Sequence, residues 1–159
     1  MGIITKTHEF PIPVAPSRMF KAMGDTKSNL VPQLLSDRIK SVEFVGDGGV
    51  GTIRTTYFAD GSPVKYVKHK MDEIDEANFY CKFTLFDHDF NDENLESIVH
   101  EVKLEASAEG GSICKLSNHY HTKGDYVPKD EDIKAGEEQD KAIQVAIVDH
   151  LVANPNIYA

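Results

Sequence analysis

Between Lys40 and Thr122 the sequence repeats one pattern six times: a short segment rich in β-branched and aromatic residues, then a turn signal. The segments run from Lys40 to Val45, Thr52 to Ala59, Val64 to Asp72, Phe79 to Phe86, Leu95 to Ala106 and Ser112 to Lys123. The turns between them are Gly46 to Gly51, Asp60-Gly61-Ser62-Pro63, Asp75-Glu76-Ala77-Asn78, Asp87 to Asn94 and Glu109-Gly110-Gly111. Parallel strands need long crossovers, so connections this short imply an antiparallel meander.

The meander cannot stand alone, because one of its faces is apolar. Ile98, Val102 and Leu104 alternate with Val99, Glu101, Lys103 and Glu105; Phe79, Cys81, Phe83 and Leu85 alternate with Tyr80, Lys82 and Thr84. The cover is expected from Asp130 to Asn154, where Ile133, Ile143, Ile147 and Leu151 recur at helical spacing and Asp130, Glu131 and Asp132 suit the positive end of a helix dipole. A helix of this length spans roughly 36 Å, enough to cross a curved sheet. Upstream, Thr5 to Val14 reads as a further strand shaped at its end by Pro11 and Pro13. Pro16 opens a short helix through Met23, Gly24-Asp25 ends it, and a second short helix is expected from about Ser28 to Leu35 despite Pro32. The fold class is α+β: an antiparallel sheet gripping a long C-terminal helix, with two short helices closing the gap.

The chain of 159 residues fits one domain over residues 1–159 and is 40% hydrophobic without low-complexity tracts. Its longest apolar stretches fall far short of a membrane span. Met1-Gly2-Ile3-Ile4-Thr5-Lys6 shows neither a secretory leader nor a complete myristoylation motif, so Cys81 and Cys114 are expected as reduced thiols in the cytosol. The formal net charge of −9 opposes non-specific binding to nucleic acid.

The stretch Gly46-Asp47-Gly48-Gly49-Val50-Gly51-Thr52 has part of a phosphate-loop spacing, but it lacks the lysine, leads into a strand and carries Asp47; a tight hairpin turn is the expected role. His119 and His121 point the same way along a strand, yet no third ligand accompanies them and no metal is expected. No nucleophile motif is readable. More informative are His100 and Asn118, on the apolar strand faces, and Gly136 and Asp140, within the apolar helical stripe. Inward polar groups on three elements are costly in a dry core. They suit a partly wet pocket with apolar walls, the alternative being a mispatterned core.

The whole chain also resembles the intracellular plant pathogenesis-related proteins of class ten, relatives of the major birch pollen allergen. The resemblance rests on the glycine loop, on Tyr66-Val67-Lys68-His69-Lys70, on Asp72-Glu73-Ile74-Asp75 and on Tyr120-His121-Thr122-Lys123-Gly124-Asp125. It implies a helix-grip fold, related to the START domains: a seven-stranded antiparallel sheet wrapped around the long C-terminal helix, with a large internal cavity. It also implies an intracellular, cytoplasmic or nuclear, protein that holds hormones, flavonoids, sterol-like compounds or fatty acids. A monomer, or at most a weak dimer, without a cofactor is implied. Carried over by position, the cavity wall includes Met23, Ile39, Arg54, Phe58, Tyr66, His69, Cys81, Phe83, His100, Leu116, Gly136, Gln139, Asp140 and Ile143. Arg54, His69, His100 and Asp140 would orient the polar end of a ligand.

The resemblance favours a carrier or store of a hydrophobic metabolite in plant defence, or a sensor like the distant relatives that bind abscisic acid and inhibit a phosphatase. It leaves open catalysis in specialised metabolism, where some relatives use a cavity lysine and a carboxylate; only Asp140 and His100 offer an acid/base pair here. Ribonuclease activity is disfavoured, because Val45 stands where many relatives carry a glutamate before the glycine loop. Cys81 and Phe83 stand where many carry tyrosines, which removes two hydroxyl handles.

Overall fold

The computed structural model describes residues 2–90 and 92–159. In chain order the elements are β1 (Gly2–Ile12), α1 (Pro16–Met23), α2 (Leu30–Leu34), β2 (Ile39–Val45), β3 (Ile53–Phe58), β4 (Tyr66–Asp75), β5 (Tyr80–His88), β6 (Leu95–Ala106), β7 (Ser112–Thr122) and α3 (Asp130–Ala153). The strands form one antiparallel sheet of seven in the order β1-β7-β6-β5-β4-β3-β2, so the meander β2 to β7 is completed at its far edge by the N-terminal strand. The fold class expected from the sequence is the one observed.

Boundaries moved where pairing or capping overrode local pattern. The first strand begins at Gly2 and ends at Ile12, because it pairs with β7 along its whole length, from Gly2 opposite Thr122 to Ile12 opposite Ser112. Asp75 to Asn78 is less a hairpin turn than a cap: the Asp75 carboxylate accepts the Asn78 N–H at 3.3 Å over a single 3-10 turn. Phe79 then takes a left-handed φ of 52°, so β5 starts one residue later than its hydrophobic pattern suggests. Pro32 is tolerated in α2 because it falls in the first turn, where no backbone donor is required.

The glycine loop is the β2–β3 hairpin. Gly46, Gly48 and Gly51 have φ of 128°, 95° and 90°, conformations that side chains resist. Its amides are already occupied: Gly48 N–H donates to Thr52 Oγ1 and Gly49 N–H to Asp47 Oδ1, both at 2.9 Å, and Gly51 N–H to the Met71 carbonyl at 2.8 Å. A surface cleft of about 400 Å³ beside the loop is lined by Asp25, Asp47 and Glu76 against Lys27. Such a lining does not attract phosphate.

The core is split. One apolar cluster gathers Met19 and Ala22 of α1, Leu30 of α2, Cys81, Val102, Leu104 and Cys114 of the sheet, and Ile147 and Leu151 of α3. A second gathers Val67, Leu85, Leu95, Ile98 and Tyr120 of the sheet with Ile133, near the start of α3. The α3 backbone lies closer to α1 and α2 than to any strand. The clusters hold the helix towards its two ends, and between them Glu137 meets His8 of β1 at 3.0 Å and Gln139 meets Arg38 at 3.4 Å. Its C-terminal end is fastened by Arg18 of α1, whose Nε donates to the Ile157 carbonyl at 2.8 Å and whose Nη2 donates to the carbonyls of Leu151 and Asn154. No helix among the described residues is long and apolar enough to cross a membrane.

Candidate functional site

Between the two apolar clusters a belt of polar and aromatic side chains crosses the inner face of the sheet. Cross-strand pairing assembles it: Arg54 on β3 lies opposite His69 on β4, Phe83 on β5 opposite His100 on β6, and His100 opposite Asn118 on β7. Directly opposed residues share a face; between β4 and β5 the belt steps diagonally, because His69 lies opposite Leu85 and Phe83 opposite Met71. The rings of His69, Phe83 and His100 lie 5.0 to 5.6 Å apart, and the Arg54 guanidinium sits 5.4 Å from the centre of the Phe83 ring. His100 Nδ1 donates to Asn118 Oδ1 at 2.7 Å.

Facing the belt is the inward stripe of α3. Asp140 lies midway between the buried Ile133 and Ile147, two turns from each, and so points the same way. Its side chain is nonetheless exposed, as is Gly136 beside it, and a Cβ built on Gly136 would meet no atom within 4 Å. Open surface in the middle of an inward stripe means an internal space. Such surface fits an open space between the two clusters, a hollow in the core.

The electrostatics fit a space enclosed by protein. Burial raises the Asp140 carboxyl to about 6; Arg54 pulls the other way and Glu137 adds to the rise. Burial also holds His69 well below its ordinary value, assisted by the charge of Arg54. It lowers His100 to about 4, although the bond to Asn118 partly offsets this. Both imidazoles are therefore neutral near pH 7. The Cys81 and Cys114 thiols are pushed up to about 11 and 12 by burial; both are free and inert as nucleophiles. Arg54 Nε and His69 Nδ1 are buried with no hydrogen-bond partner among the described residues. Native interiors rarely leave such groups unpaired.

The residues expected at the wall fall into four sets. Arg54, His69, Phe83 and His100 form the belt, Gly136 and Asp140 lie on the inward stripe of α3, and Asn118 joins the belt through His100. Met23, Cys81, Leu116 and Ile143 belong to the first apolar cluster and Phe58 to the fringe of the second; Ile39 is fully buried behind them. Gln139 reaches Arg38 Nη1 at 3.4 Å, at the rim. Tyr66 does not join the wall. It alternates with Val67 and His69, pairs with Tyr57, and donates its hydroxyl to Asp87 at 3.1 Å, on the face where Lys68 also meets Asp87. Tyr120, a residue of the second cluster, lies on the same face of β7 as Asn118.

On the outer face of the sheet, His119 is occupied by Glu101 Oε2 at 2.7 Å and Thr5 Oγ1 at 2.9 Å. No group of three His, Cys, Asp or Glu side chains with metal-binding geometry occurs among the described residues.

Comparison with known proteins places this architecture. Residues 1–154 match the pathogenesis-related protein Bet v 1 family. The pathogenesis-related protein STH-2 of Solanum tuberosum is 41% identical over 159 residues, covering all of both chains. The major strawberry allergen Fra a 1.08 of Fragaria ananassa is 41% identical over 159 residues, covering 99% of each. The crystal structure of Ara h 8.0201 superposes with a TM-score of 0.85 at 36% identity, over 96% of this chain and 100% of that one.

Proposed function

This chain belongs to the pathogenesis-related protein Bet v 1 family, and from that premise we propose that it holds a small apolar or amphipathic molecule inside the sheet, as a carrier, store or sensor in plant defence. The observation that carries the reading is the open surface of Asp140 and Gly136 on the inward side of α3, between the two apolar clusters. Apolar walls with a few convergent polar groups are the usual make-up of a small-molecule site. The belt of Arg54, His69, Phe83 and His100 would orient the polar end of the cargo, and the flanking clusters would take its apolar body. On this reading the protein acts as a monomer, in the cytoplasm and without a cofactor.

A titration with an environment-sensitive apolar fluorophore tests it, followed by displacement with flavonoids, cytokinins, abscisic acid and fatty acids. Saturable binding at low stoichiometry, displaced by one of these classes, is expected. Absence of saturable binding would refute the container.

A further inference from the structure

Building on that container reading, we propose that Arg54 and His69 form a head-group site for a single carboxylate, so that the preferred cargo is an apolar carboxylic acid bound as its anion. The two residues lie directly opposite one another on β3 and β4. Arg54 Nε and His69 Nδ1 are the buried side-chain polar atoms without a partner among the described residues, and they belong to this one pair. An ionised carboxylate has two acceptor oxygens and can take a hydrogen bond from each of two neighbouring N–H groups. One oxygen accepts from Arg54 Nε–H. The other accepts from His69 Nδ1–H, in the neutral tautomer with its proton on that nitrogen.

The surroundings select the charge and the shape. A guanidinium enclosed by protein without a hydrogen-bonded anion is expensive, and a bound carboxylate removes that penalty. The protein's own carboxylate on the facing helix, Asp140, acts on Arg54 through its charge and not through a hydrogen bond. Its charge also opposes each further negative charge on a head group, which disfavours the doubly charged phosphate monoesters against a single carboxylate. Phe83, beneath the guanidinium, and the apolar clusters on both sides suit a hydrocarbon or ring body.

The test compares decanoic acid with methyl decanoate on the full chain at neutral pH, each below its aggregation limit, displacing the bound fluorophore. The ester keeps the body and a carbonyl but loses the charge. The acid is expected to displace the probe at a concentration roughly tenfold lower or better, the scale of a charge-assisted hydrogen bond. The Arg54 Nε–H resonance in a nitrogen-15 spectrum is expected to shift downfield with the acid and not with the ester. Arg54→Gln should bring the acid-to-ester ratio to about one, and the wild-type ratio and resonance decide the matter even where that variant folds poorly. Equal displacement by acid and ester overturns the carboxylate site and leaves the container standing. Preference for the acid without a change at Arg54 also overturns it, because the head group then lies elsewhere. Failure of the fluorophore to bind at all removes the container, and this site with it.

Discussion

Replacing Asp140 by asparagine should stabilise the ligand-free protein near neutral pH and leave it unchanged in acid. In the unfolded chain this carboxyl titrates near its ordinary 3.8; in the fold burial lifts it to about 6. The folded state thus holds the proton more tightly, and the ionised side chain works against folding at every pH above about 6. That penalty shrinks as pH falls and is gone below 3.8. At about 1.4 kcal/mol per pH unit, the interval sets an upper bound of about 3 kcal/mol. Because the side chain remains open to water in the hollow, screening brings the expected gain to about 1 kcal/mol. Urea denaturation of wild type and Asp140→Asn at pH 7.5 and pH 3.5 measures it as a difference. The difference matters because the wild type loses stability on its own between pH 6.5 and about 4, as His100, held neutral by burial, takes up a proton on unfolding. A variant less stable than wild type at pH 7.5 would sink the reasoning, since Asp140 would then be a favourable ion-pair partner of Arg54. An equal gain at both pH values would attribute the effect to packing instead of charge.

His100→Leu should cost about 1–3 kcal/mol by stripping the buried Asn118 carbonyl of its donor, and adding Asn118→Leu should recover part of the loss; chemical denaturation of the single and double variants checks both. His100→Leu should also alter ligand preference, which competitive displacement reads. Gly136→Leu should raise helix stability by about 0.5–1 kcal/mol while weakening fluorophore binding, because its side chain would occupy the hollow; thermal melts and titration together test this. Arg18→Met should lower stability by about 2 kcal/mol or more and expose the amides near the end of α3 to hydrogen exchange, since three carbonyls lose their donor.

Period and punctuation made most of the fold legible. β6 runs from Leu95 to Ala106 as its alternation indicates, and α1 fills the interval from Pro16 to Met23 between a proline and a glycine. What stayed hidden depends on partners distant in the chain. The true limits of β1 follow from its pairing with β7, and Arg18 finds its acceptors more than a hundred residues away. The site was half visible. His100, Asn118, Gly136 and Asp140 each stood out as polar or small residues on an apolar face, but their union with Arg54 and His69 needs the cross-strand register. Tyr66 shows the converse: a short motif fixes identity, whereas the parity of the strand decides which way the ring points.

On the ribosome, β1 emerges before the other elements of the fold and has nothing to pair with, because it lies at one edge of the sheet and its sole neighbour there is β7. At typical translation speeds that neighbour is complete roughly ten seconds later. The apolar side of the growing meander then stays bare until α3 has cleared the exit tunnel. Nascent chains are consequently sticky while β2 to β7 are being made, and the fold is complete only once α3 has joined the sheet. A chaperone that shields strands β2 to β7 during elongation should raise the yield of native protein more than one added after release.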